Sequence, residues 1–345
     1  MKGRKPDVIV LGHARPDALN RSTAVSFSQA LASQCRVFYI ELPFSHKDFL
    51  LRRDDPQIAR RIRNKDVLLP MADQPKDFYP LVPPAILPVN AFPSGLLYDF
   101  LAKRRALRLN AFLEQIIQRF EIRDFILLNI FNPFDSLKLP ALSQARLRAY
   151  YCVDDIRYTP WLKRHGPRLE ARRMAEADLL FFTSSALQKQ WGTSRQQPNF
   201  LLPNAADVSL FSQARNIPPK DSPISEGSQK IVLYIGSVDL RLDMALLEEV
   251  IPRMRKYHFV FVGPIMDQAR ARFLKVFSNV SLLGPRAQED LPAYCAGADC
   301  AIIPFVQNPL TEAMYPLKVH EYQAAGLPIV ATPFSEDIRA MRDDI

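Results

Sequence analysis

Residues 304–332 read PFVQNPLTEAMYPLKVHEYQAAGLPIVAT. The stretch leaves an apolar run at Cys300–Pro304, crosses a polar loop, and enters a segment whose spacing predicts a helix over about Leu317–Ala325. Gly326 stands where a left-handed helix C-cap belongs, Pro328 follows it, and Ile329–Ala331 reads as a second strand. A short helix entered from a loop at the carboxyl end of a strand is an anion seat. Its first backbone N–H groups have no intrahelical partner, and its dipole favours negative charge there. Lys318 lies in the first turn, where its charge opposes the dipole by roughly a few tenths of a kcal/mol. A bound phosphate reverses that cost. Glu321 comes three residues later, on nearly the same face. A cation and a carboxylate beside a helix start suit a nucleoside diphosphate and its ribose hydroxyls. A solvated Lys–Glu pair fits the same spacing, so the rest of the chain decides between them.

The chain has 345 residues, enough for two domains, and 48% of them are hydrophobic, enough for a substantial core. Lys plus Arg exceed Asp plus Glu by 45 − 36 = 9. That balance favours an anionic partner: a nucleotide, an anionic lipid surface or a nucleic acid. Cys35, Cys152, Cys295 and Cys300 are scattered with no C-x-x-C pair, which argues against zinc and for a reduced, cytoplasmic protein. The apolar run Val8–Leu11 is too short for a signal peptide, and no window approaches the roughly 20 apolar residues of a membrane span.

From the start of the chain, Asp7–Gly12 and Arg36–Ile40 read as buried strands around a helix that begins near Ser22, the pattern of a doubly wound α/β domain. Gly12 does not open a G-x-G-x-x-G fingerprint. Residues 44–65 crowd Arg52, Arg53, Arg60, Arg61 and Arg63 together, either as a solvated helix face or as contact with anionic lipid or a pyrophosphate-linked acceptor. Leu81–Leu97 is apolar and broken by Pro83, Pro84, Pro88 and Pro93, which forbid a helix; it covers core or touches lipid. Leu96–Phe120 reads as a long helix whose Leu109, Phe112, Leu113, Ile116, Ile117 and Phe120 form a core stripe. Lys103, Arg104, Arg105 and Arg108 make a basic cluster near its start, a candidate membrane-facing patch. Arg148–Cys152 is a strand ending at Asp154 and Asp155, followed by Tyr158, Trp161 and His165. Carboxylates at that end lie at the mouth of an open sheet, and adjacent residues on extended chain point oppositely. At most one of the two therefore faces an acceptor, while the other caps or pairs with an arginine.

The polar, Pro- and Ser-rich stretch Asn216–Gln229 reads as a linker. Beyond it runs a second α/β series, with strands at Ile231–Gly236, Phe259–Val262, Val280–Leu283, Cys300–Pro304 and Ile329–Ala331. Its strands end in Gly236–Ser237, Gly263–Pro264 and Gly284–Pro285–Arg286, loops that converge on the edge beside Lys318. Glycine at 236 would let phosphates approach the backbone closely.

The run Pro316-Leu317-Lys318-Val319-His320-Glu321-Tyr322, followed by Ala324-Ala325-Gly326-Leu327-Pro328-Ile329-Val330-Ala331-Thr332, resembles the donor-nucleotide segment of GT-B glycosyltransferases. The similarity is to bacterial enzymes that build surface polysaccharides, of the group 1, family 4-like type. It implies two Rossmann-like domains facing a cleft: residues 1–207 binding the acceptor, a linker over 208–229, and 230–345 binding a nucleotide-sugar, UDP- or GDP-linked. It implies that Glu321 binds ribose and Lys318 the donor phosphates, within a segment that includes Tyr315, Pro316 and Leu317. Gly236 and Ser237 would meet the phosphates, and Gly284, Pro285 and Arg286 the base, with Gly263 at the same edge. Arg241 would stand for the Arg–Lys pair of retaining relatives. Pro203-Asn204-Ala205-Ala206-Asp207 resembles the P-N-G-x-D turn that closes the first domain, with Ala205 in place of glycine. Similar enzymes place an aspartate pair where Asp154 and Asp155 stand; Asp154 is the expected base toward the acceptor, and His13 its rival. Many retaining members carry two glutamates with seven residues between them; counting back from Glu321 gives Ala313, with Glu312 one step off, so retention or inversion stays open. The chain stops at Ile345, before the crossover helices that usually end the fold.

The expected function is transfer of a sugar from a nucleotide diphosphate to a glycan or lipid-linked acceptor in polysaccharide biosynthesis. It needs no metal and no cofactor, and takes place in the cytoplasm, peripherally at the inner face of the plasma membrane. The alternatives are a non-catalytic nucleotide-sugar-binding paralogue, an epimerase or phosphorylase of the same fold, and a basic nucleic-acid-binding protein. The last predicts a continuous basic face with aromatic platforms, whereas the basic residues here gather near apolar loops.

Overall fold

A computed structural model describes residues 5–18, 22–64, 66–69, 71, 74–89, 92–159, 162–193, 195–224 and 229–341. Trp161 and the C-terminal Asp344–Ile345 lie outside them. The chain divides into two compact units, Met1–Thr183 with Leu187–Leu202, and Ser184–Ala186 with Pro203–Ile345.

The first unit carries β1 (Asp7–Gly12), β2 (Val37–Ile40), β3 (Phe78–Leu81), β4 (Phe125–Ile130), β5 (Leu147–Cys152), β6 (Leu179–Phe182) and β7 (Asn199–Leu201). They form one parallel sheet in the order β3-β2-β1-β4-β5-β6-β7. Every residue of β1 is buried, as a near-continuous apolar run covered on both faces requires. The helices are α1 (Thr23–Leu31), α2 (His46–Leu51), α3 (Pro56–Arg63), α4 (Leu96–Arg119) and α5 (Gly166–Glu176), with a three-residue turn α6 (Ser185–Leu187) where the chain passes between units. Ser22 caps α1 through its hydroxyl, which accepts from the Val25 N–H. Leu109, Phe112, Leu113 and Ile116 bury the inner stripe of α4.

The second unit carries α7 (Val208–Phe211), β8 (Lys230–Ile235), α8 (Met244–Arg253), β9 (Tyr257–Val262), α9 (Gln268–Leu274), β10 (Val280–Gly284), α10 (Leu291–Ala296), β11 (Cys300–Ile303), α11 (Pro309–Glu312), α12 (Leu317–Ala325), β12 (Ile329–Ala331) and α13 (Glu336–Ala340). Its parallel sheet runs β10-β9-β8-β11-β12. In both sheets the strand order reverses beside the first strand of the unit, which is where open α/β sheets bind ligands.

Two compositional expectations change. Residues 208–221, grouped with a linker, are folded into the second unit: Asp207 caps α7, and Phe211 and Ala214 enter that unit's core. The arginine-rich helices are not wholly solvated either. Arg61 is fully buried, with its guanidinium shared between Glu41 and Asp17. Composition places an arginine on a helix but not the carboxylates that long-range packing brings to it.

Candidate functional site

The second unit's sheet ends in three glycines tied edge to edge. The Gly236 N–H donates to the Val262 carbonyl (2.8 Å), and the Gly263 N–H to the Gly284 carbonyl (2.9 Å). A Cβ on Gly263 would lie 2.2 Å from the Gly236 carbonyl oxygen, so no other residue fits that join. A Cβ on Gly236 would lie 2.7 Å from Tyr234 Oη and 3.0 Å from Lys318 Nζ. Glycine there keeps the space beside the ammonium open.

Lys318 is brought to this edge by α12. Pro316 precedes the helix, no side chain caps its first turn, and Gly326 closes it in the left-handed conformation at φ 81°. Val319 and Tyr322 are buried, and Tyr322 Oη accepts from the Ile235 N–H (2.7 Å), fastening the helix to the end of β8. The Lys318 ammonium lies 5.3 Å from the ring centroid of Tyr234 and 4.9 Å from that of Phe305. Among the described residues it makes no hydrogen bond and no ion pair within 4 Å. Burial, with Arg241 nearby, pushes its pKa down to about 8, against the pull of Glu321 and Asp239. Lys318 as a residue is half-buried; Glu321 is buried and is pushed up to about 6 by desolvation, with Lys318 opposing. The pair is therefore withdrawn from water. A cation resting on two π faces, with its nearest carboxylates beyond ion-pair distance among the described residues, is arranged to receive an anion.

Arg241 sits over the same Phe305 ring (5.4 Å), but Asp239 holds its guanidinium through two hydrogen bonds to Nε and one to Nη2. The structure thus gathers Gly236, Gly263, Lys318 and Arg241, with Glu321 one turn further. Ser237 contributes its carbonyl to Tyr234 Oη (3.0 Å). Tyr315 stacks on His320 and bonds it through Oη (2.9 Å), while its carbonyl accepts from Asn204 in the turn at 203–207 (2.8 Å). Leu317 opens the helix. Pro285 and Arg286 are exposed at the neighbouring loop, where Arg286 is drawn to Tyr294 Oη (2.7 Å) and to the Pro285 carbonyl, apart from the Lys318 group. Ala313 is buried and its carbonyl accepts from Ser184 Oγ, while Glu312 accepts from Gln307. Tyr234 and Phe305, the floor under the ammonium, escaped sequence reading. Phe305 lies two residues past the end of β11, the one local signal that could have marked it.

At the first unit's sheet edge, His13 follows β1 and Asp154–Asp155 follow β5, with β4 between them, so they stand about two strand spacings, ~10 Å, apart. The pair splits as alternation requires. Asp155 is buried, caps the turn at 156–158 by accepting from the Arg157 N–H (3.0 Å), and holds the Arg157 guanidinium. Asp154 is exposed. His13 Nδ1 meets the Ile130 carbonyl (3.3 Å) and its ring packs edge-on to Phe131. A carbonyl only accepts, so Nδ1 carries the proton and Nε2 is the accepting nitrogen. Burial lowers the His13 pKa and keeps the ring neutral. Behind the pair, the buried Glu170 accepts from Tyr150 Oη (2.9 Å), and desolvation pushes its pKa up to about 8.

Residues 229–344 match the family described as glycosyl transferases group 1. The chain is 30% identical over 169 residues to TuaH of Bacillus subtilis (strain 168), whose description is of a glycosyltransferase of teichuronic acid biosynthesis. That match takes in 47% of this chain and 42% of the relative, so the chain spans less than half of the curated relative it matches. Among solved structures, sucrose-phosphate synthase from Thermosynechococcus elongatus superposes with a TM-score of 0.62 at 15% identity, over 95% of this chain and 81% of that one. Anabaena HepE, in complex with UDP and glucose, gives 0.56 at 14% identity, over 96% and 82%. At such identities the likeness is one of fold: two parallel α/β sheets in the GT-B arrangement of strands and helices.

Proposed function

We propose, from a C-terminal stretch that matches the group 1 glycosyl transferases, that this chain moves a sugar from a nucleotide diphosphate to a glycan or lipid-linked acceptor in polysaccharide biosynthesis. The observation that carries the reading is the Lys318 ammonium at the start of α12, set on two ring faces beside Gly236 and, among the described residues, in no hydrogen bond or close ion pair. As the glycosidic bond breaks, the departing diphosphate gains negative charge. An ammonium and a helix N-terminus already aimed at it stabilise that charge without reorganising. In this reading they do so without a metal ion, and UDP is the donor nucleotide that the likeness to HepE favours. Glu321 takes the ribose hydroxyls.

On the acceptor side Asp154 is the base. What supports the choice is exposure: Asp154 is exposed at a strand end, whereas Asp155 is buried beneath Arg157. The basic balance of the chain fits work at an anionic membrane surface, on the cytoplasmic side where nucleotide-sugars are found.

A panel of nucleotide-sugars and nucleoside diphosphates tested by thermal shift, followed by a transfer assay with the best binder, checks this. A ligand that binds the native state raises its apparent stability by mass action. The reading expects at least one nucleotide-sugar to raise the midpoint in wild type and not in Lys318→Ala. No response to any member of the panel would overturn it.

A further inference from the structure

We infer that the outward face of the first three turns of α4 is an interfacial docking surface for an anionic lipid bilayer. The inference rests on the membrane partnership proposed above and names the surface that makes it.

Four large apolar side chains stand on that face: Leu96 at 91% exposed, Leu97 at 55%, Phe100 at 53% and Leu107 at 62%. At 100° per residue they and Arg104 fall within about a third of the helix circumference. Buried apolar residues of the same helix, from Tyr98 to Ile116, occupy the opposite side, so the core does not account for the outer stripe. Single exposed leucines are ordinary; four in three turns of one helix are a patch.

The charges around the patch say what covers it. Lys103, Arg104 and Arg108 are exposed beside the four apolar residues, with Arg104 lying along the Phe100 ring (4.9 Å); the exposed Asp99, one turn before Lys103, is the single carboxylate among them, so the balance there is three cations to one anion. Arg105, on the inner side, is instead held by Asp135. Further along the same face stand Ala111, Glu114, Gln115 and Gln118, and the exposed Arg119 beyond them is held by Asp66, so the apolar and basic character of this face ends after about three turns. Arg108 also reaches His46 (3.2 Å) at the start of α2, whose last residues Leu50 and Leu51 are exposed and are followed by exposed Arg53 and by Arg52, which Asp55 and Asp48 hold. A second copy packed here by two-fold symmetry would set these cations against their own copies. A nucleic acid would meet leucines where it needs base-stacking rings. A bilayer with anionic headgroups satisfies both halves: acyl chains receive the leucines and Phe100, and lipid phosphates receive the lysine and arginines that snorkel upward. Among the described residues no helix is long and apolar enough to cross a membrane, so this contact lies in the interface plane.

Full-length protein is co-sedimented with phosphatidylcholine vesicles, with and without phosphatidylglycerol, across a salt series. The inference expects binding to the anionic vesicles that falls as salt rises. The triple variant Leu97→Ser, Phe100→Ser, Leu107→Ser is expected to lose roughly tenfold or more of that partitioning. Lys103→Gln with Arg104→Gln is expected to abolish the preference for phosphatidylglycerol. All five side chains are exposed, so the variants fold, and nucleotide binding by the second unit is measured beside partitioning. Unchanged partitioning in the triple variant overturns the docking surface. So does a wild-type dimer in ultracentrifugation that the triple variant disrupts, which would give the face to a second copy. If vesicle binding holds while no nucleotide binds, the transferase reading fails and this surface stands.

Discussion

The Lys318 ammonium lies 4.9 Å from the centroid of the Phe305 ring, at the first turn of a helix whose N-terminus no side chain caps. A ring face compensates part of the desolvation of a cation but leaves its N–H donors unused. The site is therefore suited to an anion. The ammonium is held in place by packing, its charge is destabilised by burial, and an anion arriving at the helix start relieves both.

That arrangement makes donor binding proton-linked. The free Lys318 titrates at about 8, and a diphosphate beside it favours the charged form and raises that value. Binding should then take up a proton in the window that starts near pH 8 and extends to the raised pKa. Affinity should be flat below about 8 and fall as pH rises above it. Calorimetry in two buffers of different ionisation enthalpy measures the uptake directly. A proton count of zero across that window would remove Lys318 as the phosphate partner.

Gly236→Ala should weaken nucleotide binding by about tenfold or more. The added methyl carbon would crowd the Tyr234 hydroxyl at 2.7 Å and the Lys318 ammonium at 3.0 Å. The flexible lysine yields more easily than the buried ring, so the displacement falls on the ammonium. The comparison is nucleotide Kd against thermal midpoint: a loss of stability with unchanged Kd would mean that the glycine serves the fold alone.

The two neighbouring aspartates should separate cleanly. Asp155→Asn removes the buried partner of Arg157 and weakens a cap, at a cost of about 1–2 kcal/mol in unfolding free energy. Asp154→Asn should leave stability within about 0.5 kcal/mol, as surface changes do, while lowering turnover with little change in donor affinity. Urea unfolding and steady-state kinetics on the two variants distinguish the roles. A fall in donor affinity on changing Asp154 would show that it is not the acceptor's base.

Glu170 should give the fold a pH dependence of its own. Its carboxyl titrates at about 8 in the folded state and near 4.5 when unfolded. Between those values the native state holds the proton and the unfolded state does not, so stability falls as pH rises, by at most about 1.4 kcal/mol per pH unit for this one group. Glu170→Gln keeps an acceptor for Tyr150 and cannot ionise, so its stability should be flatter over the same window. Equal slopes in the two proteins would contradict the assignment.

Much of this was legible in residue order because local chemistry governs it. The limits of α12, the left-handed Gly326, the Ser22 cap and the split between Asp154 and Asp155 all follow from caps, turns and two-residue alternation. What was not legible depends on residues distant in the chain. Tyr234 and Phe305 come under Lys318 only when β8, β11 and α12 assemble. Arg61 finds Glu41 and Asp17 across 20 and 44 positions. The short α11, with its Asn308–Thr311 capping box, was hidden in what composition marks as polar loop.

The most direct test of the central claim is calorimetric titration of UDP into wild-type protein and into Lys318→Ala, with the thermal midpoint of each recorded. The account predicts a loss of about tenfold or more in affinity with the midpoint little changed. Equal affinity in the two proteins would contradict it.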